Sequence, residues 1–179
     1  MKTLIYLSIM ISLSANAISS EPYEPNAGEY KCQEKDGSVG LQSLTRAWEQ
    51  LTSAQRQEPP LVLAYAEQLR QLGAQVEAEE VLRTALKRKY DSHLARLYGL
   101  VRGSDPARQL QTAEGWLKDH PHDPSLLLTL GRLCLQTSLW GKARDYLESS
   151  LRVQRNPEAC AELARLLAQL GDTEGSNQL

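Results

Sequence analysis

PPLVLAYAEQLRQLGAQVEAEEVLRTALKRKY, residues Pro59–Tyr90, holds two helical patterns on either side of Leu72-Gly73. Tyr65, Ala66 and Leu69 fall at helical spacing in the first half, and Ala78, Leu82 and Ala85 in the second. The small residues matter most. Ala66 and Ala78 are expected where two antiparallel helices touch, and Gly73 supplies the backbone freedom for the turn between them.

The same pattern recurs. A second unit opens at Asp123-Pro124 and carries Leu130-Gly131, Trp140, Ala143 and Leu147 at the matching places. A third opens at Asn156-Pro157 with Leu163-Ala164, Leu167 and Leu170-Gly171, and its second helix is expected from about Thr173. Between the good units lies a degenerate copy in which Leu97, Ala113, Trp116 and Pro121 fall into register, with helices expected near Asp91–Val101 and Asp105–Asp119. Taking Ala66, Leu97, Gly131 and Ala164 as equivalent gives steps of 31, 34 and 33 residues. Asp105-Pro106, Asp123-Pro124 and Asn156-Pro157 each set a capping side chain before a first-turn proline. Leu41–Ala54, with Leu44, Trp48 and Leu51, has the register of a second helix without its first. A helix pair repeating at about 34 residues resembles the tetratricopeptide repeat, so the expected fold is an all-α solenoid over residues 41–179, with a partial unit at each end.

Composition agrees. Leu and Ala, both strong helix formers, are frequent and Phe is absent. Twenty Lys and Arg against 22 Asp and Glu give a net charge of -2, which argues against a nucleic-acid binder, since that would need a basic face. The three cysteines, Cys32, Cys134 and Cys160, have no CxxC spacing, and Cys134 and Cys160 read as small core residues.

The N-terminus has a different character. Lys2, the apolar run Leu4–Leu13 and Ala15-Asn16-Ala17 form the pattern of a secretory signal peptide, residues 1–17, cleaved after Ala17. The apolar run is too short to cross a bilayer, so no transmembrane helix is expected in the mature chain. Residues 18–40 read as a linker or an incomplete hairpin turning at Asp36-Gly37. Tyr30-Lys31-Cys32 and that turn resemble the opening of a small periplasmic domain of unknown function.

Several longer runs, including Leu130-Gly131-Arg132-Leu133-Cys134-Leu135, Leu139-Trp140-Gly141-Lys142-Ala143-Arg144 and Pro157–Leu167, resemble the repeat region of the HemY-type haem biogenesis protein of proteobacteria. That resemblance implies a membrane-associated organiser of late haem (protoporphyrin) synthesis, not an enzyme, with haem-biosynthesis enzymes as partners. No GxGxxG offers a dinucleotide cofactor a seat, so no cofactor is expected. The family carries membrane helices ahead of its repeats and places them at the inner membrane, cytoplasmic side; the signal peptide here implies the periplasm instead. The alternatives are a haem- or porphyrin-binding accessory protein and a non-functional fusion fragment.

By the repeat register, Leu63, Glu67, Arg70, Leu94, Tyr98, Leu128, Arg132, Leu135 and Arg165 are expected to face a concave groove that holds a protein partner. Arg70, Arg132 and Arg165 suit carboxylates, because a guanidinium fork makes two-point contacts. His120-Pro121-His122-Asp123 lacks a third nearby ligand and reads as a plain inter-repeat loop rather than a metal site, and no spacing suggests a catalytic dyad.

Overall fold

A computed structural model of the chain describes residues 37–171. The expected signal peptide, the Tyr30–Asp36 stretch and the helix expected from Thr173 lie outside them. Every regular element among the described residues is helical. The chain divides into two compact units, parted between Ala74 and Gln75.

The first unit holds α1 (Gly37–Glu49), a 3-10 turn (Gln55–Gln57) and α2 (Pro59–Gln71). Gly37 to Gly40 form the first turn of α1, so helix begins ahead of Leu41, at the end of the stretch read as a linker or incomplete hairpin. Trp48 stacks flat on Tyr65, ring centroids 4.1 Å apart, which fixes α1 on α2. Leu44, Leu51, Leu61, Val62, Ala66 and Leu69 fill the space around that stack. α2 ends as the sequence predicts. Gly73 takes φ +83°, its N–H donates to Arg70 at 3.2 Å, and the N–H of Ala74 donates to Leu69 at 2.9 Å. Those two bonds satisfy carbonyls that a helix end otherwise leaves open.

The second unit holds α3 (Gln75–Arg88), α4 (Ser92–Tyr98), α5 (Pro106–Trp116), α6 (Pro124–Gln136), α7 (Trp140–Val153) and α8 (Pro157–Gln169). Each expected cap is made. Asp105 accepts from the N–H of Arg108, Asp123 from Ser125 and Leu126, and Asn156 from Ala159, each ahead of its first-turn proline. Asp91 caps α4 in the same way.

α6 is the most buried helix of this unit, packing against α4, α5 and α7. Its approach to α7 is set by Gly131, where an added Cβ would stand 2.7 Å from Leu147. Its approach to α4 is closer still in backbone terms: a Cβ on Gly99 would meet the Cα of Thr129 at 2.9 Å, and the Thr129 hydroxyl donates to the Ala95 carbonyl at 2.7 Å. Ala78, Ala113 and Ala143, the small residues of the second helices, are fully buried, as is Cys134. Burial holds the Cys134 thiol up at about 11, which keeps it a packing group.

Both helices of the degenerate copy are shorter than expected, α5 ending at Trp116 where Asp119 was expected. α4 stops at Tyr98 instead of running to Val101. The cause lies on α5, where buried Gln109 donates through Nε2 to the carbonyls of Tyr98 and Val101 and accepts from the Gly103 N–H. One side-chain amide thereby takes over backbone groups that further helical turns would have used.

Two outcomes are expected on folding stability. Gly131→Val should cost on the order of 3 kcal/mol in urea unfolding, because Leu147 has no room to yield, and Leu147→Ala should recover part of that loss. Ser138, which takes the place of the turn glycine after α6 at φ 59°, should gain roughly 0.5–1 kcal/mol on Ser138→Gly, read as a raised midpoint in the same experiment.

Candidate partner-binding face

In the first unit, Glu67 and Arg70 already satisfy each other. Arg70 donates through Nε and Nη2 to the two oxygens of Glu67 at 2.9 and 2.7 Å, and Gln71 adds a third bond to that carboxylate. Leu63, one turn before Glu67, is half-buried.

In the second unit the groove expectation needs correction. Leu94, Tyr98 and Leu128 are at most 2% exposed and belong to the interior. Tyr98 shows why: its ring sits edge-on to Trp116 at 5.0 Å and its hydroxyl donates to Glu79 on α3 at 2.7 Å. Burial and that carboxylate together push the phenol above its ordinary range. α4 and α6 are each packed against at least two other helices, so only a narrow stripe of each stays outward.

That stripe is ionic. Arg132, 8% exposed, donates Nη2 to Glu158 at 2.8 Å and Nε to Glu162 at 3.2 Å. Arg165 pairs with the other oxygen of Glu162 at 3.1 Å. Arg96, on α4, reaches the same Glu158 through both Nε and Nη2. Three guanidiniums and two carboxylates thus alternate across α4, α6 and α8, with Leu135 half-buried on α6. Among the described residues Arg132 Nη1 is buried without a hydrogen-bond partner. Arg132 and Arg165 therefore meet carboxylates of this chain, where carboxylates of a partner were expected. The sequence reading passed over Arg96, Glu158 and Glu162. The Glu158, Glu162, Arg165 spacing of one helical turn was the available signal for two of them.

The His120–Asp123 loop has a structural task. His120 stacks on Tyr90 at 3.7 Å, while Tyr90 and Ser92 both donate hydroxyls to Oδ2 of Asp123 at 2.6 Å. One carboxylate so caps α6 and ties it to the start of α4. Burial alone would raise the Asp123 carboxyl, but the bonds from Ser92, Tyr90 and the α6 backbone outweigh it and hold the group below its usual range. The Arg96 fork likewise lowers Glu158, against an opposing effect of burial, with Arg132 adding to it.

Elsewhere, a polar cleft of about 140 Å³ lies between α3 and the start of α5, lined by Glu79, Arg83, Asp105 and Arg108 among others. Leu139 and Trp140, at the turn into α7, are each 42% exposed. No described helix is long and apolar enough to cross a membrane.

In the second unit the acid response follows from the two lowered carboxyls, Asp123 and Glu158. Both give up their protons more readily in the folded chain than in the unfolded one, so their contribution is complete above the ordinary carboxyl range near pH 4 and is lost as pH falls through the lowered folded values. The melting temperature should hold from pH 7 to about 5.5 and drop below about 4.5, and Asp123→Asn should melt lower at pH 7 and lose less on acidification.

No protein-family model matches the chain. Over 66 residues, 37% of this chain, it is 30% identical to tetratricopeptide repeat protein 21A of Mus musculus, and the match spans only 5% of that relative. Among solved structures, a thermophilic TPR protein of Thermus thermophilus superposes with a TM-score of 0.64 at 16% identity, covering 97% of this chain and 86% of that one. MamA of Desulfovibrio magneticus RS-1, residues 41 to the end, does so at 0.57 and 13% identity, covering 99% and 90%. With its capped helix pairs at a 31- to 34-residue step, the chain has the all-α fold of tetratricopeptide-repeat proteins.

Proposed function

We propose that this chain is a non-catalytic interaction module that seats a protein partner on the outward stripes of its first helices. Stacked helical repeats generally present extended faces to other proteins, because each unit spends its apolar surface on its neighbours and leaves a polar, ordered face outward. The observation that carries the reading is the stripe across α4, α6 and α8. There Arg96, Arg132, Glu158, Glu162 and Arg165 are held in place by one another and so form a preorganised surface beside Leu135. A surface whose side chains are already ordered gives up less entropy when a partner binds.

The HemY-type resemblance of the Leu130–Leu135 and Leu139–Arg144 runs points to enzymes that make haem as the partners of a module on the cytoplasmic side of the inner membrane. The signal-peptide pattern of residues 1–17 favours a periplasmic chain, which would present the module to partners of that compartment; the inner membrane, cytoplasmic side, is the alternative site.

Crosslinking in the native host, with the captured chain weighed intact, tests this. The expected result is a mass beginning at Ile18, a periplasmic fraction and a discrete crosslinked protein whose yield falls about tenfold with Leu135→Glu, a substitution on the stripe. Equal yields from wild type and Leu135→Glu would move the partner off this face. A Soret shift on adding haem to the purified chain would turn the reading towards porphyrin handling.

A further inference from the structure

Arg96 and Glu158 stand 62 residues apart, on α4 and α8. A complete helix pair, α6 and α7, stands between them in the chain. In a stacked-repeat chain, packing links each unit to its immediate neighbours alone. A direct contact between units two steps apart is therefore an addition to the fold and not a product of it.

An exposed ion pair ordinarily contributes little, since two long side chains must be ordered for one screened attraction. Here the ordering is largely done before Arg96 arrives. Arg132 has a side chain only 9% exposed, and it holds Glu158 through Nη2 while Nε engages Glu162 one turn along α8. Glu158 receives Arg96 with both oxygens, so the contact fixes direction as well as distance. Arg96 itself is half-exposed and can leave without disturbing the interior.

We propose that Arg96, Glu158 and Arg132 form an ionic clamp that sets the spacing of α4 from α8, and that releasing it lets α8 move relative to α4 while the α6–α7 packing around Gly131 persists. The clamp spans the same stripe offered to a partner, yet it is a property of the free chain and stands whether or not that reading of the face holds.

Amide hydrogen exchange on the full chain tests it through a double-mutant cycle. Arg96→Met keeps the length of the side chain at an exposed site and should leave helix content unchanged. It should speed exchange across Cys160–Gln169 by about threefold to tenfold at low salt. Glu158→Gln should do at least as much, and the double variant no more than Glu158→Gln alone, because the two act through one contact. Salt at about 1 M should bring wild type towards the Arg96→Met rate. Glu148→Gln, whose ion pair with Arg144 stays within α7, should leave α8 unchanged. Wild-type exchange in Arg96→Met, full additivity in the double variant, or an equal effect from Glu148→Gln would each overturn the clamp.

Discussion

Everything in the second unit depends on how closely two helices can approach α6. An α-helix brings its neighbour to a separation fixed by the side chains at the crossing. At Gly131 that side chain is a hydrogen atom, and Leu147 occupies the vacated place. On the opposite flank Gly99 lets the α4 backbone reach Thr129. With α6 gripped from both sides its residues from Leu126 to Cys134 are buried in an unbroken run, an unusual condition for a helix that begins and ends at the surface. Such a helix cannot shift without displacing both partners, which is why it can carry a buried guanidinium on its remaining side.

That guanidinium is the point where packing passes into electrostatics. Taking Arg132 out of water is costly, and the cost is met only by good geometry and by carboxylates placed to receive it. Glu158 and Glu162 come from one face of α8, whose orientation is set in turn by the Asn156 cap and the proline after it. The ion-pair stripe is therefore a consequence of two local devices, a glycine crossing and a capped helix start, acting from different places in the chain. The Asp123 carboxylate does a similar double duty: Oδ1 caps α6 and Oδ2 holds Tyr90 and Ser92.

How much of this could be read from the sequence divides along the same line. The starts of α5, α6 and α8 were legible because a cap and a proline act on their own backbone within three residues. The turn at Gly73 was legible because only glycine enters that conformation freely. Ser138 does the same task at φ 59° without announcing it, since the surrounding bonds to Leu135 and Cys134 impose the conformation on a residue that does not prefer it. The early end of α4 was not legible, for its cause is Gln109, a residue of a different helix. Leu94, Tyr98 and Leu128 were assigned to an outward groove because the repeat register gives a direction for each side chain but not the reach of the neighbouring helices. Arg132 was expected to face a partner's carboxylates, whereas the carboxylates it meets in this chain lie 26 and 30 residues away. No periodicity within one helix reveals a pairing of that kind.

The contrast bears on what such a chain can evolve. Crossings at Gly131 and Gly99 tolerate almost no change, because a single added carbon collides with atoms that are themselves fully packed. The stripe above them is different in kind. Arg96 and Arg165 are half or more exposed, and their loss removes an attraction without opening a cavity. Arg132 stands between these regimes: replacing it alone would remove the buried group that joins Glu158 to Glu162 and leave each carboxylate with only its exposed guanidinium, Arg96 or Arg165. The face that could meet a partner is thus free to vary at its edges and constrained at its centre, and the constraint comes from this chain's own charges before any partner is considered.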